Sequence, residues 1–289
     1  MKSLKRIKRF MSKIILASAL LFGDANAQEL ANGTRIKPEA RAAVYGVNVL
    51  GNGFVCGTVA AVKNREIMKD VIKCMFAGNI QYLGMELGMK NVPALPGFAL
   101  RVTETGTSMI DNTIKGRGML DSLQYEFNTF LLEIDTEKKD LGLYWRIMPI
   151  IGTAKNISEE NIFSIEDTLS YQTTTFYRPP EGLEFAGNTI GNVMLYERTR
   201  NLEVSKTSRY RAHEFAHVMQ YLRLRPVQNG IPNIVRFLED KLHLRVGEDI
   251  GIIVANLPNA YCRVSEEKDC GIQPYNLAEV EAYAMQTAH

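Results

Sequence analysis

Four histidines occur in this 289-residue chain, and two of them, His213 and His217, stand four residues apart with Glu214 directly after the first. On a helix that spacing puts both imidazoles on one face, where they can hold a single ion. Glu214 then lies beside the first ligand, and its carboxylate can reach a water on the ion without needing to ligate. Metal-assisted hydrolysis requires this arrangement: zinc lowers the pKa of its bound water toward neutrality, and a nearby carboxylate takes the proton and hands it to the leaving group. Phe215, Val218, Met219 and Leu222 are available to bury the other sides of such a helix. The bland alternative is a pair of surface or capping histidines on an ordinary helix. His243 and His289 are read as bystanders, the latter because chain ends are poorly held. No Gly-x-Ser-x-Gly elbow, phosphate-cradling glycine loop or calcium-loop pattern competes with this chemistry.

Two histidines leave a zinc site one protein ligand short. Asn276–Ala284 offers two carboxylates, Glu279 and Glu281, in a segment with helical pattern and small residues that permit close packing. Side chains two apart on a helix cannot both point at one ion, so they are rivals. At these residues the chain resembles the zincin metallopeptidases, in the branch where His-Glu-x-x-His is followed by a glutamate ligand on a downstream helix. Thermolysin-like enzymes place that glutamate in a Glu-x-x-(Ala/Ser)-Asp frame. Glu279-Val280-Glu281-Ala282 fits the frame with Glu279 as ligand, and Tyr283 stands where the family has Asp. The resemblance covers at most residues 205–289 and implies Zn2+ held by His213, His217 and Glu279. His213–Gln220 and Asn276–Ala284 also look like segments of exported bacterial proteins of this class.

The elements that must position these groups divide the mature chain into three stretches. Residues 28–118 are expected to form a Gly-rich helical hairpin and a linker region. One helix opens at Pro38, which suits a first helical turn, and runs through Val62; the second runs from about Arg65 to Leu87. Residues 42–62 carry no charge, a length able to cross a membrane, but Asn48, Asn52 and four glycines favour a tightly packed soluble hairpin. Residues 119–200 read as an antiparallel meander, with strands near Leu123–Thr129, Leu141–Ile151 and Thr168–Arg178, and Pro149 at an edge or bulge. Residues 201–289 turn helical, with helices at Ser208–Leu224, Asn233–Leu242 and Leu277–Ala288 and a strand within Val246–Asn256. The expected class is α+β, with 119–289 as one catalytic unit.

Residues 1–27 are set apart from this body. Six Lys and Arg precede the apolar run Ile14–Phe22, and Ala25-Asn26-Ala27 offers a small-x-small cleavage site. That order predicts a secretory signal peptide. Taking its six basic and one acidic residues from totals of 34 and 32 leaves 28 and 31, a net charge of −3. No basic patch interleaved with aromatics survives, so nucleic acid is not an expected partner. Cys56, Cys74, Cys262 and Cys270 are an even set in a chain addressed to an oxidising compartment, and proximity favours Cys56–Cys74 with Cys262–Cys270. The sequence therefore predicts a periplasmic or secreted zinc-dependent peptidase acting on peptide or protein, with membrane association through 42–62 as an added possibility. The alternative is a zinc-stabilised, catalytically inactive envelope scaffold or membrane-associated binding protein.

Overall fold

A computed structural model describes residues 38–88, 95–178, 187–190, 192–197, 204–223 and 241–245. The expected signal peptide, the Cys262–Cys270 pair, the strand in Val246–Asn256, nearly all of the Asn233–Leu242 helix and the Leu277–Ala288 helix with Glu279 and Glu281 lie outside the described residues.

The chain is mixed α and β, with two small sheets and a helical layer. Helices α1 (Pro38–Val62) and α2 (Ile67–Gly88) form the expected hairpin. Asn64 takes the left-handed conformation in the turn between them, at φ 53°. Cys56 and Cys74 are joined as a disulfide with a Cα–Cα distance of 6.3 Å. The glycines of α1 serve contact: a Cβ on Gly57 would stand 2.7 Å from a Val71 methyl, and one on Gly53 2.6 Å from Met75. Among the described residues no helix is long and apolar enough to cross a membrane.

The expected linker is in fact a third helix, α3 (Leu95–Lys115), packed along α2. It is buried although rich in hydroxyls, because Thr103, Thr105, Thr107, Ser108 and Thr113 each donate to the carbonyl four residues back. That gives each hydroxyl proton an acceptor within the helix, and leaves the Thr107 and Ser108 oxygens to accept from Gln81 and from the Gln124 amide. The helices approach until backbones nearly touch. A Cβ on Gly106 would lie 2.7 Å from the Ala77 carbonyl oxygen and from the Gln81 nitrogen.

Strands β1 (Ser122–Phe127), β2 (Phe130–Asp135) and β3 (Asp140–Arg146) make an antiparallel meander, in which β1 and β3 fall on expected strands and β2 is an additional one. Its register gathers Leu123, Tyr125 and Phe127 on one face with their partners Ile134, Leu132 and Phe130. Leu141, Leu143 and Trp145 complete that face from β3. The opposite face carries Ser122, Gln124 and Glu126, and these are buried. The two amides of β1 at Gln124 and Glu126 donate to Ser108 Oγ at 2.9 Å and Glu104 Oε1 at 2.6 Å, so α3 closes this edge of the sheet.

Beyond Arg146 the structure departs from the expected meander. Ile147–Ser158 is a helix, α4, with Pro149 in its first turn, where the missing N–H is harmless. Strand β4 (Ile162–Phe163) follows, and the expected strand at Thr168 splits into helix α5 (Ile165–Tyr171) and strand β5 (Thr174–Arg178). Ser164 caps α5 by accepting from the Asp167 amide, and Gln172 ends it in the left-handed region. Strands β6 (Gly187–Ile190) and β7 (Val193–Glu197) complete a sheet ordered β4-β5-β7-β6, in which β5 and β7 run parallel. Helix α6 (Val204–Arg223) packs on β6 and β7 and against α2 and α3. Strand β8 (Leu244–Arg245) pairs parallel with the end of β3. The main core lies around α6, where Phe215, Val218, Met219 and Leu222 meet Met85, Ala99, Leu100 and Met194.

Gly106→Ala should therefore cost about 1–3 kcal/mol, since backbone cannot yield as a side chain would. Gly46→Ala in α1 meets nothing within 4 Å, and should be neutral or stabilising by up to about 1 kcal/mol through helix propensity. Urea unfolding of both variants beside the parent measures the contrast.

Candidate metal centre

His213, Glu214 and His217 fall in the middle of α6, as the sequence predicts. The helix is amphipathic only in a loose sense. Ala212, Phe215, Ala216, Val218, Met219 and Leu222 are buried, and so are His213 and Glu214; His217 is the more open of the three. Tyr171 meets Phe215 edge-on at 4.9 Å, fixing the side of the helix next to α5.

The two imidazoles converge. Their Nε2 atoms are 3.2 Å apart and the rings stand at 86° to one another. An ion about 2.0–2.1 Å from each nitrogen with a near-tetrahedral angle would hold them roughly 3.3 Å apart. The observed spacing is that of a hydrogen bond between the two rings, and it also fits two ligands of one tetrahedral ion. The Nδ1 of His217 lies 2.9 Å from Gln220 Oε1. With the amide oxygen accepting from Nδ1, the Nε2 lone pair of His217 is directed toward His213, and the ring is held in that orientation.

Glu214 is oriented from outside the helix. The Thr189 hydroxyl, on β6, lies 2.6 Å from Glu214 Oε2 and 3.1 Å from its main-chain oxygen. A buried carboxylate needs such a donor to remain charged. Among the described residues no third His, Cys, Asp or Glu joins the two histidines in a metal-sized group. Glu279 and Glu281 lie outside those residues. His243 is placed elsewhere, at the edge of the first sheet, where its carbonyl accepts from Trp145 N at 2.8 Å and its ring lies 6.0 Å from Tyr144.

Two polar clamps, neither foreseen in the sequence, hold α6 on either side of the motif. Toward its N-terminus, Arg211 donates to Asp167 Oδ1 at 2.7 Å, while Tyr196 and Ser164 donate to Oδ2 at 2.5 and 2.7 Å. Toward its C-terminus, Arg146 pairs with Glu126 and donates to the Tyr221 hydroxyl, both Arg146 and Glu126 being fully buried. Thr189, Asp167 and Arg146 are remote from the motif in sequence and nothing local marks them. Gln220 alone could have been found, since it stands three residues after His217 on the same helix face.

Burial pushes the Asp167 carboxyl up, but the hydrogen bonds from Tyr196 and Ser164 and the Arg211 guanidinium outweigh it and hold it below the ordinary 3.8. A carboxyl depressed in the folded state contributes stability above its unfolded pKa and loses it as pH falls through the folded one. Asp167→Asn should cost about 1.5–3 kcal/mol near pH 7, the range for hydrogen bonds to a charged group. Thermal unfolding of parent and variant from neutral pH downward should show the gap narrowing below pH 3.8. A gap that stays constant would place the contribution in neutral packing.

No protein-family model, curated protein or solved structure matches the chain, and the reading of its site rests on the residues themselves.

Proposed function

We propose that this chain is an exported zinc-dependent metallohydrolase, a peptidase, with His213, His217 and Glu279 as zinc ligands and Glu214 as general base. The observation that carries the reading is the 3.2 Å convergence of the two Nε2 atoms, beside a buried carboxylate that Thr189 holds in place. The resemblance of the motif to zincin metallopeptidases supports the same class. Zinc bound there supplies Lewis acidity and makes water acidic near neutral pH.

The chain's own groups do the rest. Glu214 accepts the proton of the attacking water and returns it to the leaving amine, and the Thr189 hydroxyl keeps its carboxylate in one orientation during both transfers. Gln220 keeps His217 in the tautomer that ligates. Strand β6 ends the described sheet and joins Glu214 through Thr189. An extended peptide adding beside β6 as a further strand would be held by main-chain hydrogen bonds close to the base. Export is supported by the basic, apolar and small-x-small segments of residues 1–27.

Substitution separates the roles. Glu214→Gln should keep zinc and lose about 10²–10⁴-fold in turnover, the usual contribution of a general base. His213→Ala and Glu279→Ala should lose zinc itself. Metal analysis after dialysis, run beside a peptide-library digest, measures both properties. Full activity in Glu214→Gln removes the mechanism, whereas zinc loss in Glu281→Ala instead of Glu279→Ala moves the third ligand by two residues and keeps it. Intact mass of protein recovered from the envelope should begin at Gln28; a mass retaining residues 1–27 would refute the proposed processing.

A further inference from the structure

The first sheet is inside out. A sheet with one face on a core and one in water normally buries its apolar side. Here the register turns Ser122, Gln124 and Glu126 inward, where α3 and Arg146 supply their partners. The apolar side faces outward. Leu141, Leu143, Trp145 and Phe127 on it are 66%, 54%, 46% and 44% exposed, and their cross-strand partners are only partly covered. None of the nine positions on this face is charged.

We propose that this face is the self-association surface of the protein, closed by a second copy of the same chain packed sheet on sheet. Area is the first argument. With large apolar side chains of roughly 150–250 Å² each, the face exposes on the order of 600 Å². That reaches the upper limit for the largest patch on a typical monomer, about 300–600 Å². Two such faces would bury about 1,200 Å² together, the lower bound of stable specific interfaces.

Topology is the second argument. Partners often reach a sheet by adding a strand at its edge, but α3 side chains occupy the β1 amides and β8 covers the end of β3. With β1 closed and the last two residues of β3 paired, the face is the larger surface a partner can meet, and sheets meet face to face about 10 Å apart with both apolar sides interdigitated. An uncharged face meets its own copy without repulsion. Arg101 lies 4.1 Å over the Phe127 ring at one end of the face, and its charge is held within the molecule by Glu104 and Gln172. The hairpin tip at the other end, Glu137-Lys138-Lys139-Asp140, balances two acids with two bases. It lacks the polybasic character that would draw the face to an anionic membrane.

The surface is separate from the candidate metal centre, which lies on α6 against the other sheet, so its test does not involve activity. Sedimentation velocity of the mature full chain at about 1–100 μM should show a dimer, the range being that of an interface of this size. Leu143→Lys buries a charge in the contact and should yield monomer with an unchanged circular dichroism spectrum. Phe76→Lys, on the exposed apolar stripe of α2, should leave the dimer intact. Leu143→Cys should cross-link between copies with a short bismaleimide while the parent does not, which keeps the proposal testable if the lysine variant misfolds. A parent that is monomeric throughout, a dimer that survives Leu143→Lys, or a monomer that sediments with phosphatidylglycerol vesicles would each overturn it.

Discussion

Two imidazoles can share an ion only if the helix bearing them is held still, and that helix here is buried on nearly every side. Burial is costly for the groups it carries, because His213, Glu214 and Arg211 all lose water. For Glu214 and Arg211 that cost is offset by a donor or acceptor from another element. Thr189 reaches Glu214 from β6, and Asp167 reaches Arg211 from α5. Arg146 reaches Tyr221 from the end of β3. These partners fix the rotation of α6 about its own axis, which apolar contacts alone would leave looser. The histidine geometry is thus a property of the whole assembly of sheet, short helix and clamp.

Close packing of the N-terminal helices serves the same end. Gly84 and Gly106 let α2 and α3 touch backbone to backbone, and Gly88 leaves room for Met219 and Phe215 of the motif helix. The floor under α6 is therefore dense and apolar, with Met85, Leu100 and Met219 fully enclosed. The Cys56–Cys74 bridge ties α1 to α2 on the far side of this layer and limits how far the hairpin can open.

Much of this was legible where the signal is local. Pro38 and the Lys63–Glu66 cluster bounded the first two helices, and alternation over Leu123–Phe127 marked β1. The spacing of His213 and His217 marked the helix that carries both. The sequence was misleading where burial and polarity part company. Helix α3 was missed because Thr-Glu-Thr-Gly-Thr-Ser looks like linker, and its hydroxyls are satisfied by bonds to its own carbonyls together with partners from α2 and β1 that no local pattern shows. Aromatic and β-branched residues after Leu141 read as one long strand, but Pro149 belongs to the opening turn of a helix. Thr189 and Asp167 were invisible, since each acts on α6 across a distance in sequence that no local pattern spans.

The same separation of burial from polarity explains why the two sheets differ. The second sheet gives Met194 to the core around α6 and Val193 and Leu195 to a cluster with Phe176, as an ordinary core sheet does. The first sheet instead gives its inner face to ionic and hydrogen-bonded contacts, Glu126 with Arg146 and Glu104 with the β1 backbone. A buried ion pair adds little net stability, because desolvation cancels most of its attraction, but breaking one partner away is expensive. Its consequence here is positional: Arg146 can satisfy Glu126 and Tyr221 together only if sheet and motif helix meet at one angle. Turning polar residues inward to make that joint forces the alternate residues of the same strands outward, because strand side chains alternate with a period of two. The exposed apolar face is therefore the geometric counterpart of the joint that orients the motif helix.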